Sequence, residues 1–512
     1  MGLFGGYGTT KTGQALWLML ANTVSLCMTF VISAFFSRYM TAVEYGTYRQ
    51  VIYIYSTLLM VFSFGLPNAY SYFFARVPLE EGKAVIRKLN LLFFLLSAVF
   101  SVILFTGASL IAGLLANPLL TVNLKYFAVI PMLLMPVLGV EYLLTVYGKA
   151  RAVFVYVLVC RGFTVLCSVI PVCFFNTGVS GAIIGMVMAS FVTLMAGMSL
   201  MALPFKNAVS VKTEITIRDI LHFSIPVFTS SLYGFVIDSA SQFFVSRYLG
   251  VEQFALFANG YKELPLAGIV IGAIAGILLP EYSRMAKNGA ENKEYVILWK
   301  NVVQKSASVI YPFTVFCCIF APGIMGTLYG AHYREAAALF RIVTVINLVR
   351  IVPYGPVMFA LGKGKIFANA HLVTAVLLIG ADFLCVAFFP SVFAIAAIAT
   401  AATVFCLFVL MLSMARILAV SLSDLMPWKS MLKILSASVV SCSLGSISIK
   451  CLGISHDFLS VSVGFLLSAI LYLPISRFLG IDYTTVLKPL MLFQGMDKLF
   501  LRRKDGGTDA EV

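Results

Sequence analysis

The sequence predicts an all-α polytopic membrane protein of about fourteen transmembrane helices, built as two six-helix lobes followed by two further C-terminal helices. Three observations predict this class. They are the apolar composition, the spacing of long apolar segments, and a repeat of short motifs between the two halves of the chain.

Of 512 residues, 61% are hydrophobic and 11% charged, and the mean hydropathy is +0.99. Soluble domains run roughly 45–50% apolar and about 25% charged, so this chain has far more apolar surface than a soluble core can hide. Lipid must solvate most of it. A span needs roughly 20 apolar residues, so fourteen take about 280 and leave no room for a large soluble domain.

The apolar segments fall at 14–37, 47–75, 89–116, 122–147, 152–175, 178–204, 219–248, 254–282, 301–322, 335–361, 366–390, 392–418, 431–453 and 457–479. The first continues too far beyond Lys11 for the apolar region of a cleavable leader and reads as a span. The segment 335–361 is interrupted by Arg341 and Arg350. Mixed apolar and charged stretches near 421–430 and 481–493 suggest amphipathic helices lying on the membrane surface. The expected organisation is 1–210 for the first lobe, 211–420 for the second, 421–500 for the amphipathic segments and helices thirteen and fourteen, and 501–512 for a tail.

The net charge of +15 comes from 36 basic against 21 acidic residues. The basic residues sit mainly in connections between apolar runs, which is the pattern of membrane orientation and not of nucleic-acid binding. With the N-terminus inside, 25 of the 36 fall in inner connections and tails and six in outer ones, which places both termini in the cytoplasm. The ten cysteines lie in or beside apolar runs without a CxxC pair and read as small buried hydrophobes. The four histidines are scattered, so no metal or other cofactor is expected.

Motifs recur at a spacing near 210. Ser37-Arg38-Tyr39 reappears as Ser246-Arg247-Tyr248 at an offset of 209. Gly148-Lys149 reappears as Gly362-Lys363 at 214, and Pro67 as Pro280 at 213. A duplicated unit of six helices inserts twice with the same orientation. The copies are then related by an axis along the membrane normal, with a cavity between them. That architecture suits alternating access.

Ionisable residues at membrane depth are costly and are functional candidates. Arg161, Lys262 and Arg350 lie deep in their spans, with Arg341 nearer an end. Together with Arg49 they form the candidate substrate-binding set, because guanidinium groups hold phosphate or carboxylate through paired hydrogen bonds. Asp238, Asp382, Glu141 and Glu263 are candidates for ion coupling or for neutralising these cations. No catalytic residue is expected, since the outer connections are short and hold no acid–base constellation.

Ser37-Arg38-Tyr39 followed by Glu44-Tyr45-Gly46-Thr47-Tyr48, then Phe64-Gly65-Leu66-Pro67-Asn68-Ala69, resembles the N-terminal signature of the Wzx-type polysaccharide flippases. His222-Phe223-Ser224-Ile225-Pro226 resembles the start of their second lobe. These flippases belong to the multidrug/oligosaccharidyl-lipid/polysaccharide exporter superfamily, with the MATE drug exporters and the lipid II flippase. The resemblance implies a MATE-like pair of lobes in the bacterial inner membrane. It implies transport of an undecaprenyl-diphosphate-linked oligosaccharide for surface polysaccharide such as O-antigen. Its implied partners are that substrate, membrane lipid and a polysaccharide polymerase machinery. Helices thirteen and fourteen would form a groove for the isoprenoid tail. The competing reading is a MATE-type cation-coupled drug exporter. Span one offers that reading Asn22, Ser25 and Thr29 but no carboxylate, whereas Asp238 favours it. A lipid-linked glycosyltransferase or polymerase would need catalytic loops this chain lacks.

Overall fold

The computed structural model describes residues 11–206 and 211–481. The expected surface segment at 481–493 and the tail at 501–512 lie essentially outside them. Among the described residues every regular element is a helix. In chain order these begin with α1 Lys11–Tyr39, α2 Ala42–Ser63, α3 Leu66–Phe74, α4 Leu79–Thr106, α5 Ala108–Leu114, α6 Leu119–Phe127 and α7 Ile130–Leu134. Next come α8 Val140–Val146, α9 Ala150–Phe175, α10 Gly178–Ala202, α11 Ile217–Phe244, α12 Val251–Gly260, α13 Pro265–Lys287 and α14 Asn292–Ile319. The chain closes with α15 Ala321–Tyr329, α16 Ala336–Thr344, α17 Gly355–Ala360, α18 Gly364–Phe388, α19 Val392–Ile417, α20 Leu422–Leu425, α21 Trp428–Cys451 and α22 Asp457–Phe478.

Among the described residues, eleven helices are long and apolar enough to cross a membrane, or twelve if α2 and α3 count as one span bent by 44°. The bend follows from Phe64 and Gly65, both left-handed, and from Pro67 in the first turn of α3. A proline there loses no hydrogen bond, because the first-turn N–H groups have no partner in the helix. The run Leu119–Val146 counts among the eleven although it is broken into α6, α7 and α8, whereas α11, at the position of the expected span 219–248, is not among them. The expected count of fourteen is not confirmed among the described residues, and one reason is plain. The segment 335–361 is no continuous helix. It runs as α16, a 3-10 turn at Val345–Leu348, an irregular stretch at 349–354, and α17. Pro353 lacks a donor and disfavours the helical region at Val352 before it, whereas Pro356 sits in the first turn of α17, where a proline is tolerated.

The expected span 254–282 is interrupted in the same way, between α12 and α13. Pro265 opens α13, and Leu264 before it is extended at ψ 117°. The stretch 421–430 also differs from expectation. Ser421 caps the short α20, and Trp428 already begins the membrane helix α21. Two cysteines depart from the buried expectation, since Cys27 and Cys451 are exposed.

The described residues form two compact units. The first takes the chain up to Lys262 with Met325–Val343 and Ala368–Cys406. The second takes Glu263–Ile324, Thr344–Phe367 and the chain from Leu407 onward. In the first unit α9 packs along both α1 and α10, and α2 packs along α12. Gly46 permits that last contact, because a Cβ there would lie 2.4 Å from the Val251 carbonyl oxygen. In the second unit α21 and α22 form a hairpin against α14, and α13 packs on α17.

The sequence repeat has a local structural counterpart. Helices α8 and α17 end in the same hydrogen-bonded turn. Gly148 N–H donates to Thr145 at 3.0 Å and Lys149 N–H to Leu144 at 2.8 Å. Gly362 N–H donates to Phe359 at 3.1 Å and Lys363 N–H to Met358 at 2.7 Å. Both glycines adopt positive φ, 71° and 69°, which this helix terminus requires.

Candidate functional site

Irregular backbone at membrane depth persists only where protein or a water-lined space satisfies its polar groups. Two of the interrupted spans, 254–282 and 335–361, are therefore informative, because candidate charges lie at their interruptions. Lys262 and Glu263 lie between α12 and α13, and Arg350 lies in the irregular stretch after Leu348. Within the second unit, Arg350 Nη2 and Glu263 Oε2 form an ion pair at 2.5 Å. Their side chains are 23% and 50% exposed, so the pair stays accessible to a ligand. The Tyr311 hydroxyl on α14 donates to the Leu348 carbonyl at 2.8 Å and satisfies backbone that the break has freed.

The first unit carries a different arrangement. Arg49 on α2 and Lys262 are half-buried and close enough for their charges to interact. Arg49 donates from Nη2 to the Ala258 carbonyl at 2.8 Å, while its Nε is buried and makes no hydrogen bond. Lys262 Nζ lies 5.0 Å from the centre of the Phe30 ring on α1. Among the described residues neither cation lies within ion-pair distance of a carboxylate. Burying a cation at membrane depth costs at least about 2.5–3.5 kcal/mol, and a second cation nearby raises that cost. A bound anion offsets both. Such an arrangement is suited to a phosphate or carboxylate ligand.

Elsewhere in the first unit, Arg161 lies exposed on α9 and interacts electrostatically with Glu141, exposed on α8, and with Tyr55 and Tyr156. Arg341 is exposed on α16 and Asp238 is exposed on α11. Asp382 on α18 is fully buried. The Ser241 hydroxyl of α11 donates to its Oδ2 at 2.6 Å, and its Oδ1 makes no hydrogen bond. A carboxylate with one satisfied and one open oxygen inside a membrane bundle is suited to taking up a proton or a small cation. Among the described residues no group of three His, Cys, Asp or Glu side chains is placed to hold a metal ion.

The structure thus brings Arg49 together with Lys262, Glu263 with Arg350, and Glu141 with Arg161. A search by depth and charge overlooks the neutral polar residues that organise the first unit. Asn117 Nδ2 donates to Thr47 Oγ1 at 2.9 Å and to Gln50 Oε1 at 2.6 Å, and Gln50 Nε2 donates to Ser246 Oγ at 2.8 Å. Tyr45 donates its hydroxyl to Asn259 at 2.6 Å. The only sequence signal for these residues is polarity within an apolar run, which many harmless serines and threonines share.

In the second unit, α14, α21 and α22 enclose an apolar groove of about 320 Å³ whose walls include Pro312, Phe316, Phe465 and Leu473.

A family model described as "Polysaccharide biosynthesis protein" matches residues 35–338. No curated protein matches the sequence. The chain shares its fold with the solved structure "Lipid II flippase MurJ, inward closed conformation", at TM-score 0.69 and 13% identity over 93% of this chain and 100% of that one. An inward-facing multidrug resistance MATE family transporter of the MOP superfamily gives TM-score 0.61 and 10% identity over 78% and 98% of the two chains. An outward-facing MATE family transporter gives 0.56 and 12% over 79% and 94%. At these identities the likeness is one of fold.

Proposed function

The chain belongs to the polysaccharide biosynthesis protein family, and on that premise we propose that it is a flippase for an undecaprenyl-diphosphate-linked oligosaccharide. It would act in the bacterial inner membrane, with both termini cytoplasmic. The observation that carries the reading is the pairing of Arg49 and Lys262 without a carboxylate partner. The substrate's diphosphate supplies the missing negative charge. In the same unit Arg161 and Arg341 would add further positive charge, and in the second unit Glu263 would hold Arg350 in place until an anion competes for it.

In this reading the lobes 1–210 and 211–420 rock to expose the headgroup site to each side in turn. The isoprenoid tail stays in lipid, and the groove of α14, α21 and α22 is apolar enough to receive it. Moving one elementary charge across the membrane is worth roughly 2.3 kcal/mol per 100 mV. An anionic headgroup therefore moves outward with the potential, and Asp382 and Asp238 would admit a coupling ion.

A second reading, the cation-coupled drug exporter, draws on the buried Asp382 carboxylate. One experiment separates the two. Proteoliposomes holding the purified chain and a fluorescent undecaprenyl-diphosphate oligosaccharide are treated with an impermeant quencher. Flipping that is lost in Arg49→Gln and Lys262→Gln supports the flippase. No flipping, with uptake of a cationic dye driven by an ion gradient, supports the exporter.

A further inference from the structure

Two membrane-facing grooves flank the C-terminal end of α10, and neither belongs to the site above. The larger, about 720 Å³, lies between α9 and α10 and has Lys149 and Arg151 at its rim. The other, about 480 Å³, lies between α4 and α10 and has Lys83, Arg87 and Lys206 at its rim. Apart from its cations the larger is walled mainly by apolar side chains, the other mixes apolar residues with Asn90, both reach Ser199, and no carboxylate lines either. Arg87, Lys149, Arg151 and Lys206 are exposed.

We infer that these grooves bind an anionic phospholipid of the leaflet they face. The charge is graded along the helices in the order a lipid requires. On α9, Arg151, Val155 and Val159 line the same groove at spacings of four residues, so they share one helix face. The cation comes first, and apolar wall follows to a depth of about 12 Å at 1.5 Å per residue. On α4, Lys83 and Arg87 head the other groove, whose apolar wall comes from Met198, Met201, Leu203 and Phe205. A free phosphate would find donors among the cations, but in the larger groove it would leave the apolar wall of Val155, Val159, Ala196 and Leu200 uncovered. A zwitterionic lipid would leave the exposed Arg87, Lys149, Arg151 and Lys206 facing a headgroup with its own positive charge. A phospholipid with net negative charge satisfies both the rim and the walls, as in other basic pockets between membrane helices.

Basic residues also gather at these helix ends to orient the chain. Orientation needs only the charges. The grooves beneath them are the additional observation, and they are what the inference rests on.

The test uses the full-length chain in phosphatidylcholine vesicles doped with spin-labelled phosphatidylglycerol or, separately, spin-labelled phosphatidylcholine. The fraction of immobilised label reports lipid held at the protein surface. The native chain is expected to favour phosphatidylglycerol several-fold. The variant K149Q/R151Q/R87Q/K206Q is expected to lose that preference, each removed cation contributing up to about fivefold. The variant K429Q/K433Q, which removes cations from α21 in the second unit, is expected to keep it. Equal immobilisation of the two lipids by the native chain overturns the inference. So does an equal loss in the α21 variant, which would make general surface charge responsible. Displacement of the label by sn-glycerol 3-phosphate would show a site for soluble phosphate, and displacement by undecaprenyl phosphate would show a substrate entrance. Either also overturns it. Circular dichroism and gel filtration check that each variant folds. Lipid retention does not depend on transport, so this result stands apart from the flippase reading.

Discussion

Arg38 and Arg247 occupy matching places in the two Ser-Arg-Tyr motifs, and each binds the carbonyl end of a short helix from the other half of the chain. Arg38 donates to the Thr327 and Leu328 carbonyls at the end of α15, the latter at 3.2 Å. Arg247 donates to the Gly113 carbonyl at the end of α5 at 3.3 Å. Gly113 and Thr327 are themselves 214 residues apart, the offset of the Gly-Lys repeat. All four segments lie in the first unit. A cation at a helix C-terminus is favourable both for the orphan carbonyls and for the helix dipole.

If these contacts hold the matching ends together, removing either one loosens its seam. Arg38→Ala is expected to speed thiol labelling of a cysteine at Leu328 in a cysteine-free background, and Arg247→Ala to do so at Gly113. Unchanged labelling in both would mean the contacts are incidental.

The Glu263–Arg350 pair predicts a recoverable loss. Glu263→Gln and Arg350→Gln are each expected to lower transport, while the charge-swapped double variant regains part of it. Because the pair is partly exposed, its coupling energy should be about 1 kcal/mol, near the upper end for exposed pairs and below that of buried ones. A double-mutant cycle on thermal unfolding measures it. A coupling of zero would remove the pair from the site.

Gly46 and Gly162 make opposite predictions for the same substitution. A Cβ at Gly46 meets backbone of Val251, which cannot turn away, whereas Gly162 on α9 has nothing within 4 Å. Gly46→Ala is expected to destabilise by roughly 1–3 kcal/mol through overpacking. Gly162→Ala is expected to be neutral or to stabilise by up to about 1 kcal/mol through helix propensity. Thermal midpoints in detergent decide both.

Asn117→Leu removes the donor that joins Thr47 and Gln50 and leaves their buried acceptors unsatisfied. The expected cost is roughly 1–3 kcal/mol. A cost below the scatter of the midpoint would show that the network is already hydrated.

Asp382→Asn keeps the shape of the side chain and removes its charge. If Asp382 carries the coupling ion, the variant transports without responding to a proton or sodium gradient. A response equal to that of the native chain would assign coupling elsewhere.

The apolar composition and the run lengths by themselves determined that the chain is helical and crosses a membrane many times. A continuous run of about 20 apolar residues satisfies its backbone hydrogen bonds in lipid as a helix, whereas barrel strands are about half that length. The repeat was legible too, down to the Gly-Lys turn that ends α8 and α17. Residue depth marked Lys262, Glu263 and Arg350 as costly. What depth could not reveal is that the spans break at these residues. Proline positions hinted at the breaks, but hydropathy averaged over a window does not register a few irregular residues. Only the tertiary structure decided which charges meet. Arg350 finds Glu263 and Arg49 lies beside Lys262 because helices remote in sequence are packed together, and side-chain pairing across that distance has no local signature. The same holds for Asn117, Gln50 and Ser246. Each is an ordinary polar residue in its own helix, and only packing makes them one network.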